Sequence, residues 1–136
     1  MKNAFVCIFL CGCLCMNMSN ASSEPASNGI VTYQKITAEE AKKVIDSGKP
    51  YILLDVRTEE EFTTKRISGA IRIPYHAIGE RAMTELPDRS ALILIYCHGG
   101  GRSAQAANQL ILMGYKNVYD LGGIKNWPFD TVRGNQ

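Results

Sequence analysis

Ala91-Leu92-Ile93-Leu94-Ile95-Tyr96-Cys97-His98-Gly99-Gly100-Gly101-Arg102-Ser103 is the stretch on which the reading of this chain turns. Residues 91–96 are continuously apolar and rich in β-branched side chains, as a strand buried on both faces would be. Ser103 to Met113 reads as a helix. Cys97 therefore stands between a buried strand and a helix N-terminus, in a glycine-rich turn that closes on Arg102. Three successive glycines let the backbone adopt positive φ and aim N–H groups inward. With the first amides of the helix they make a cradle for negative charge, which favours a thiolate and an anion attached to it. Arg102 adds a cation that does not lose its proton. Cys97 is thus the candidate nucleophile, and His98, Gly99, Gly100, Gly101, Arg102 and Ser103 form its candidate binding loop. A structural cysteine beside a glycine turn is the competing reading. Such a cysteine needs neither three glycines nor a terminal arginine.

Working outward, strands and helices alternate. Ile30–Ile36 reads as a short strand. Thr37-Ala38-Glu39-Glu40 is a capping box, with Ala41, Val44 and Ile45 at helical spacing behind it and Gly48 closing the helix before Pro50. Tyr51–Val56 is a second buried strand. Thr58-Glu59-Glu60-Glu61 is a second capping box, opening a short helix through Phe62 to Lys65. Ile67–Pro74 reads as a turn into a third strand that Pro74 ends. A helix is predicted over Ala77–Thr84, and Pro87-Asp88-Arg89 is the loop before the central strand. Gly114 closes the helix after the glycine loop. Asn117–Leu121 is the last strand, followed by Gly122-Gly123 and a segment carrying Trp127. This alternation predicts an α/β fold, with a mainly parallel central sheet flanked by helices on both faces. In such sheets ligands sit at the C-terminal strand ends, where both Asp55 and Cys97 fall.

The chain has 136 residues, enough for one domain. Its first part reads as a targeting segment. Lys2 carries the only early charge, residues 4–16 are apolar or small, and a polar, Ser-rich stretch follows. That apolar run is shorter than the roughly 20 residues a spanning helix needs. The boundaries expected are a signal peptide over 1–21, a polar linker over 22–29 and a domain over 30–134. Two processing sites compete: a lipoprotein-type cleavage before Cys13, within Leu10-Cys11-Gly12-Cys13, and ordinary cleavage after Ala21. Export is the expectation, to the periplasm, with the membrane touched only through a lipid on Cys13. Four of the five cysteines (Cys7, Cys11, Cys13, Cys15) lie in this segment. Cys97 is left as a lone thiol in an oxidising compartment, which argues for reactivity over a disulfide framework. The formal net charge of +2 comes from scattered residues with no basic run, so nucleic-acid binding has no support. Two histidines and one domain cysteine at wide spacing offer no metal site.

Four ordered motifs carry a resemblance over Ile30 to Gly134. They are Leu53-Leu54-Asp55-Val56-Arg57-Thr58-Glu59-Glu60-Glu61-Phe62, Ile67-Ser68-Gly69-Ala70-Ile71-Arg72-Ile73-Pro74, Tyr96-Cys97 through Arg102-Ser103, and Gly122-Gly123-Ile124-Lys125-Asn126-Trp127. Together they resemble the rhodanese-type sulfurtransferases in their small single-domain form, and the leader brings the chain closest to periplasmic members. The resemblance implies a rhodanese-like fold and a double displacement. Cys97 takes a sulfane sulfur from thiosulfate or a similar small anionic donor, becomes a persulfide, and passes the sulfur to cyanide or a thiol. It implies no cofactor. Two other classes stay open: a non-catalytic persulfide carrier, and a phosphatase or arsenate reductase. The related oxyanion enzymes use a longer loop than the six residues from Cys97 to Arg102. One departure is Arg66, where the family usually carries His before the residue matching Ile67.

Asp55 and Arg57 are the candidate supporting residues. Asp55 either hydrogen-bonds the active loop or serves its own turn. Arg57 either gathers anionic substrate or forms a surface ion pair. His98 either tunes the thiolate or faces solvent. His76 reads as a surface residue and Trp127 as packing. The chain is expected to act as a monomer.

Overall fold

Residues 30–135 are described by a computed structural model. The expected signal peptide over 1–21, the expected linker over 22–29 and Cys13 lie outside the described residues. The strands are β1 (Gln34–Lys35), β2 (Ile52–Asp55), β3 (Arg66–Ile67), β4 (Ile71–Arg72), β5 (Leu92–Cys97), β6 (Asn117–Gly123) and β7 (Thr131–Val132). The helices are α1 (Ala38–Asp46), α2 (Glu59–Thr64), α3 (Ile78–Glu85) and α4 (Gly101–Leu112). Five strands form one sheet in the order β1-β6-β5-β2-β4, with every neighbouring pair parallel. No helix among the described residues is long and apolar enough to cross a membrane.

β5 is central because both its faces are apolar. Ile93, Ile95 and Cys97 alternate with Leu94 and Tyr96, as the two-residue period of a strand requires. The first set packs with Ile78 and Ala82 of α3, Leu86 just beyond its end, and Ala106, Ala107 and Leu110 of α4. The second set packs with Ala41 of α1, Ile124 and Trp127. Helices therefore cover both faces, as expected. On α4 the buried positions are Ser103, Ala106, Ala107 and Leu110, the spacing of one helical stripe. Both capping boxes form. Thr37 Oγ1 accepts from Glu40 N at 3.2 Å, and Thr58 Oγ1 accepts from Glu61 N at 3.3 Å.

Several expected boundaries differ. The first strand covers Gln34–Lys35 rather than 30–36: Ile30 and Val31 are 89% and 64% exposed and pair with no strand. The expected third strand is split by a turn at Gly69. Its first half, β3, pairs antiparallel with β7 in a separate two-stranded sheet, and its second half, β4, pairs with β2. The helix after the glycine loop starts at Gly101 rather than Ser103. β6 runs on to Gly123 rather than ending at Leu121. Its pairing shifts there, so that Ile95 faces Asp120 and Tyr96 faces Gly122. Leu121 is the extra residue of a bulge, a local device that re-aims a strand next to a site.

Candidate active site

Three adjacent parallel strands end together. β5 delivers Cys97, β2 delivers Asp55 opposite Tyr96, and the bulged β6 delivers Gly123 opposite Cys97. The chain then turns through His98-Gly99-Gly100 into α4. Gly100 is the N-cap, at φ +108°, in the left-handed region that glycine alone enters freely. α1 and α2 start with complete side-chain boxes, whereas no side chain caps α4. The first amides of α4 therefore remain available to whatever sits in the loop.

Cys97 is 1% exposed and packs among the core residues of the α3–α4 face. Its Sγ accepts the N–H of Gly100 at 3.0 Å, a short contact that stabilises negative charge on sulfur. Ser103, fully buried, places Oγ 3.6 Å from Sγ. The neutral thiol donates to that oxygen, while the Ser103 hydroxyl donates to the carbonyl of Gly100 at 3.0 Å. When the sulfur ionises, the same hydroxyl is in place to turn and donate to it. Ser103 is thus brought to the sulfur, and so is the Gly100 amide.

β6 holds the loop from the other side. The backbone of Gly123 is at φ −107°, which any residue can adopt, but a Cβ there would lie 2.2 Å from the carbonyl oxygen of His98 and 2.9 Å from Cα of Gly99. No rotamer relieves a Cβ clash with backbone. Gly123→Ala is therefore expected to push the loop off β6, lowering stability by about 1–3 kcal/mol and cutting activity by tenfold or more. Thermal melts with steady-state rates check this.

Arg102 does not stand alone at the loop end. Its Nη1 and Nη2 donate to the two carboxylate oxygens of Glu61 at 2.7 and 2.8 Å. The same carboxylate accepts the N–H of Thr58 at 3.0 Å. The hydrogen bond from Arg102, helped by those of Thr58, holds the Glu61 carboxyl down to about 2 from its ordinary value near 4.5, against a smaller opposing effect of burial. The Arg102 guanidinium is raised by the same hydrogen bond. Because the folded value is depressed, the stabilisation is complete above pH 4.5 and is lost as pH falls toward 2. Both side chains are about a third exposed, so solvent screening reduces the effect to about 1 kcal/mol. Glu61→Gln is expected to lose it already at pH 7 and to show a flatter stability between pH 5 and 2 than the parent. Melting temperatures across that range test this. Sequence reasoning placed Glu61 only as a helix cap. The available signal was that Arg102 needs a counter-charge and that α2 opens with three glutamates.

Asp55 and Arg57 are brought together. Of the two readings of Asp55 the structure shows the one in which it serves its own turn: its carboxylate accepts the N–H of Arg57 at 2.9 Å, Nε at 3.0 and 3.1 Å, and Nη2 at 2.6 Å. This is not a surface pair, since the side chains are 4% and 0% exposed. Arg57 also donates to the carbonyl of Lys65 at 2.6 Å and stacks over Tyr96 at 5.5 Å. Burial pulls the Arg57 guanidinium down, and the bonds and charge of Asp55 more than reverse this. Burial, with the nearby charge of Asp55, pushes the Tyr96 phenol upward. The cluster stands under the loop, on the strand ends that carry it.

A cleft of about 530 Å³ adjoins the loop, lined by Arg57, Glu60, Glu61, Lys65, His98 and Lys125 among others. His98 is exposed on its rim. The His98 carbonyl accepts the N–H of Lys125 at 3.4 Å. Another cleft, about 550 Å³, lies between α1 and residues 127–130 and shares no residue with the loop. Among the described residues no three His, Cys, Asp or Glu are grouped to hold a metal. Trp127 packs in the core, as expected, and stacks edge-on against Phe129. Arg66, at the departure from the resemblance, is buried. It donates to the carbonyl of Gly134 at 2.6 Å and lies over Phe62, away from Cys97 and its loop.

Comparison with known proteins gives a consistent result. A family model described as rhodanese-like domain matches residues 37–128. The thiosulfate sulfurtransferase PspE of Escherichia coli is 37% identical over 81 residues, covering 60% of this chain and 78% of that one. The thiosulfate sulfurtransferase GlpE of Pseudomonas aeruginosa is 31% identical over 108 residues, covering 76% and 94%. A solved structure, a rhodanese with anions from Escherichia coli, superposes with a TM-score of 0.58 at 36% identity, covering 62% of this chain and 99% of that one.

Proposed function

The chain belongs to the rhodanese-like domain family, and from that footing we propose that it is a sulfurtransferase whose nucleophile is Cys97. The observation that carries the assignment of Cys97 is the Gly100 amide aimed at its sulfur, at the uncapped start of α4. In the first step the Cys97 thiolate attacks the outer sulfur of thiosulfate. The S–S bond of thiosulfate breaks, sulfite leaves with the electron pair, and Cys97 becomes an anionic persulfide. In the second step cyanide or a thiolate attacks the terminal sulfur. The persulfide S–S bond breaks, thiocyanate or a new persulfide departs, and the Cys97 thiolate returns. No net redox change and no cofactor are required.

Each residue of the loop has a task in this scheme. The amides of the His98–Arg102 turn and Gly100 hold negative charge on whichever sulfur carries it. Ser103 follows the proton state of Cys97. Arg102, fixed by Glu61, keeps a cation at the loop end. Asp55 and Arg57 set the shape of the strand ends rather than touch sulfur. The six-residue loop supports sulfur over a tetrahedral oxyanion, which needs a wider ring. We further propose that residues 30–134 are the working domain, acting as a monomer, and that the 1–21 leader exports it to the periplasm, with lipid on Cys13. Intact mass of membrane-extracted protein tests the last point: an unmodified start at Ser22 sinks the anchor.

The purified protein is expected to turn over thiosulfate and cyanide repeatedly, with thiocyanate accumulating far beyond one equivalent. A single turnover that then stops indicates a carrier. Hydrolysis of an aryl phosphate without thiocyanate formation indicates the oxyanion class.

A further inference from the structure

Both arginines near Cys97 are already occupied. Arg57 is bound by Asp55, and Arg102 by both oxygens of Glu61. An arginine held against a carboxylate presents an approaching anion with a dipole, whose field falls off faster than that of a free charge. The cleft beside the loop holds two other cations, Lys65 and Lys125. Neither has a carboxylate within ion-pair distance among the described residues. Of the two, Lys125 is tied to the active loop. It lies two positions after Gly123, whose backbone lies against His98 and Gly99, and its own N–H donates to the His98 carbonyl. Its ammonium stands over the loop: a Cβ built on Gly99 would be 4.0 Å from Nζ. The loop itself has glycine at its next three positions after His98 and carries no lysine.

We infer that Lys125 is the residue that recruits the sulfur donor and selects it by charge. Resting on the sulfurtransferase reading, this assigns the preferred donor class: small dianions bearing a terminal sulfane sulfur, in preference to monoanions. The ammonium attracts the oxyanion end of the donor to the cleft while the sulfur end enters the loop amides. It acts on encounter and binding, so its effect belongs in KM and kcat/KM rather than in the chemical step.

Two donors that deliver the same sulfur test this. Thiosulfate is a dianion that leaves sulfite; methanethiosulfonate is a monoanion that leaves methanesulfinate. Lys125→Gln is expected to lower kcat/KM for thiosulfate roughly tenfold, mostly through KM, and for methanethiosulfonate only about threefold. The dependence of the thiosulfate rate on ionic strength is expected to weaken in the same variant. Lys125→Arg is expected to restore both, which a lost packing contact would not explain. Equal losses for the two donors, or no loss, overturn the inference while leaving the sulfurtransferase reading intact. A parent protein that takes sulfur from neither donor overturns both.

Discussion

Replacing Cys97 with serine is expected to abolish sulfur transfer and leave the fold in place. The substitution exchanges one atom in a side chain packed among Ile95, Ala106 and other core residues, so the volume change is small and little stability is lost. A serine oxygen can still accept the Gly100 amide. What it cannot do is the chemistry: an alcohol at neutral pH is hardly ionised, and it forms no stable bond to a sulfane sulfur. The expected loss is of the whole thiocyanate-forming rate, to the level of the uncatalysed reaction. Circular dichroism and thermal melts of the variant should track the parent. Retained turnover in a folded Cys97→Ser protein contradicts the assignment. Loss of fold together with loss of activity would instead support the reading of Cys97 as a structural core residue.

The second large effect concerns stability. Asp55→Ala removes the only carboxylate that Arg57 touches among the described residues and leaves a guanidinium buried without that counter-charge. Stranding one member of a buried pair costs about 3–5 kcal/mol. That is a large part of the roughly 5–15 kcal/mol by which a domain is stable. A fall in melting temperature of about 15 °C or more is expected for a domain of this size. Asp55→Leu combined with Arg57→Met removes both charges and should recover much of the loss, which distinguishes an unpaired charge from a cavity. A melting temperature within a few degrees of the parent for Asp55→Ala contradicts this account of the pair.

The parts of the fold that were legible in the sequence are those set by local chemistry. Thr37 with Glu40, and Thr58 with Glu61, lie three residues apart, and the helix cap they form needs nothing from elsewhere in the chain. β5 was legible because both its faces are apolar, so no question of register or face arose. The Cys97 loop was legible because glycines, a cysteine and an arginine occur between a strand and a helix. What escaped notice depends on residues far apart in sequence. β3 and β7 are two residues each, and their pairing joins Ile67 to Thr131. A two-residue strand has no periodicity to read. Leu121 looks like an ordinary strand residue, and only its pairing against β5 shows it to be a bulge.

The site divided along the same line. The loop residues fell where expected because they are contiguous. Glu61 reaches Arg102 across 41 positions, and its capping role hid the second one. Asp55 reads from the sequence as a strand-end carboxylate with two possible partners, the loop or its own turn, and the structure shows the turn. The choice between the loop and Arg57 depends on a side-chain direction that the sequence does not display. Gly123 was quoted within a motif, but the reason for its lack of a side chain is the His98 carbonyl, 25 positions earlier.

The central claim is that Cys97 carries the transferred sulfur. The protein treated with thiosulfate, freed of excess donor and digested without reductant, should show a one-sulfur mass increase of about 32 Da on the peptide containing Cys97. Brief exposure to cyanide should remove it and release one equivalent of thiocyanate. An unmodified Cys97 peptide after thiosulfate treatment, or the added sulfur on another residue, contradicts the account.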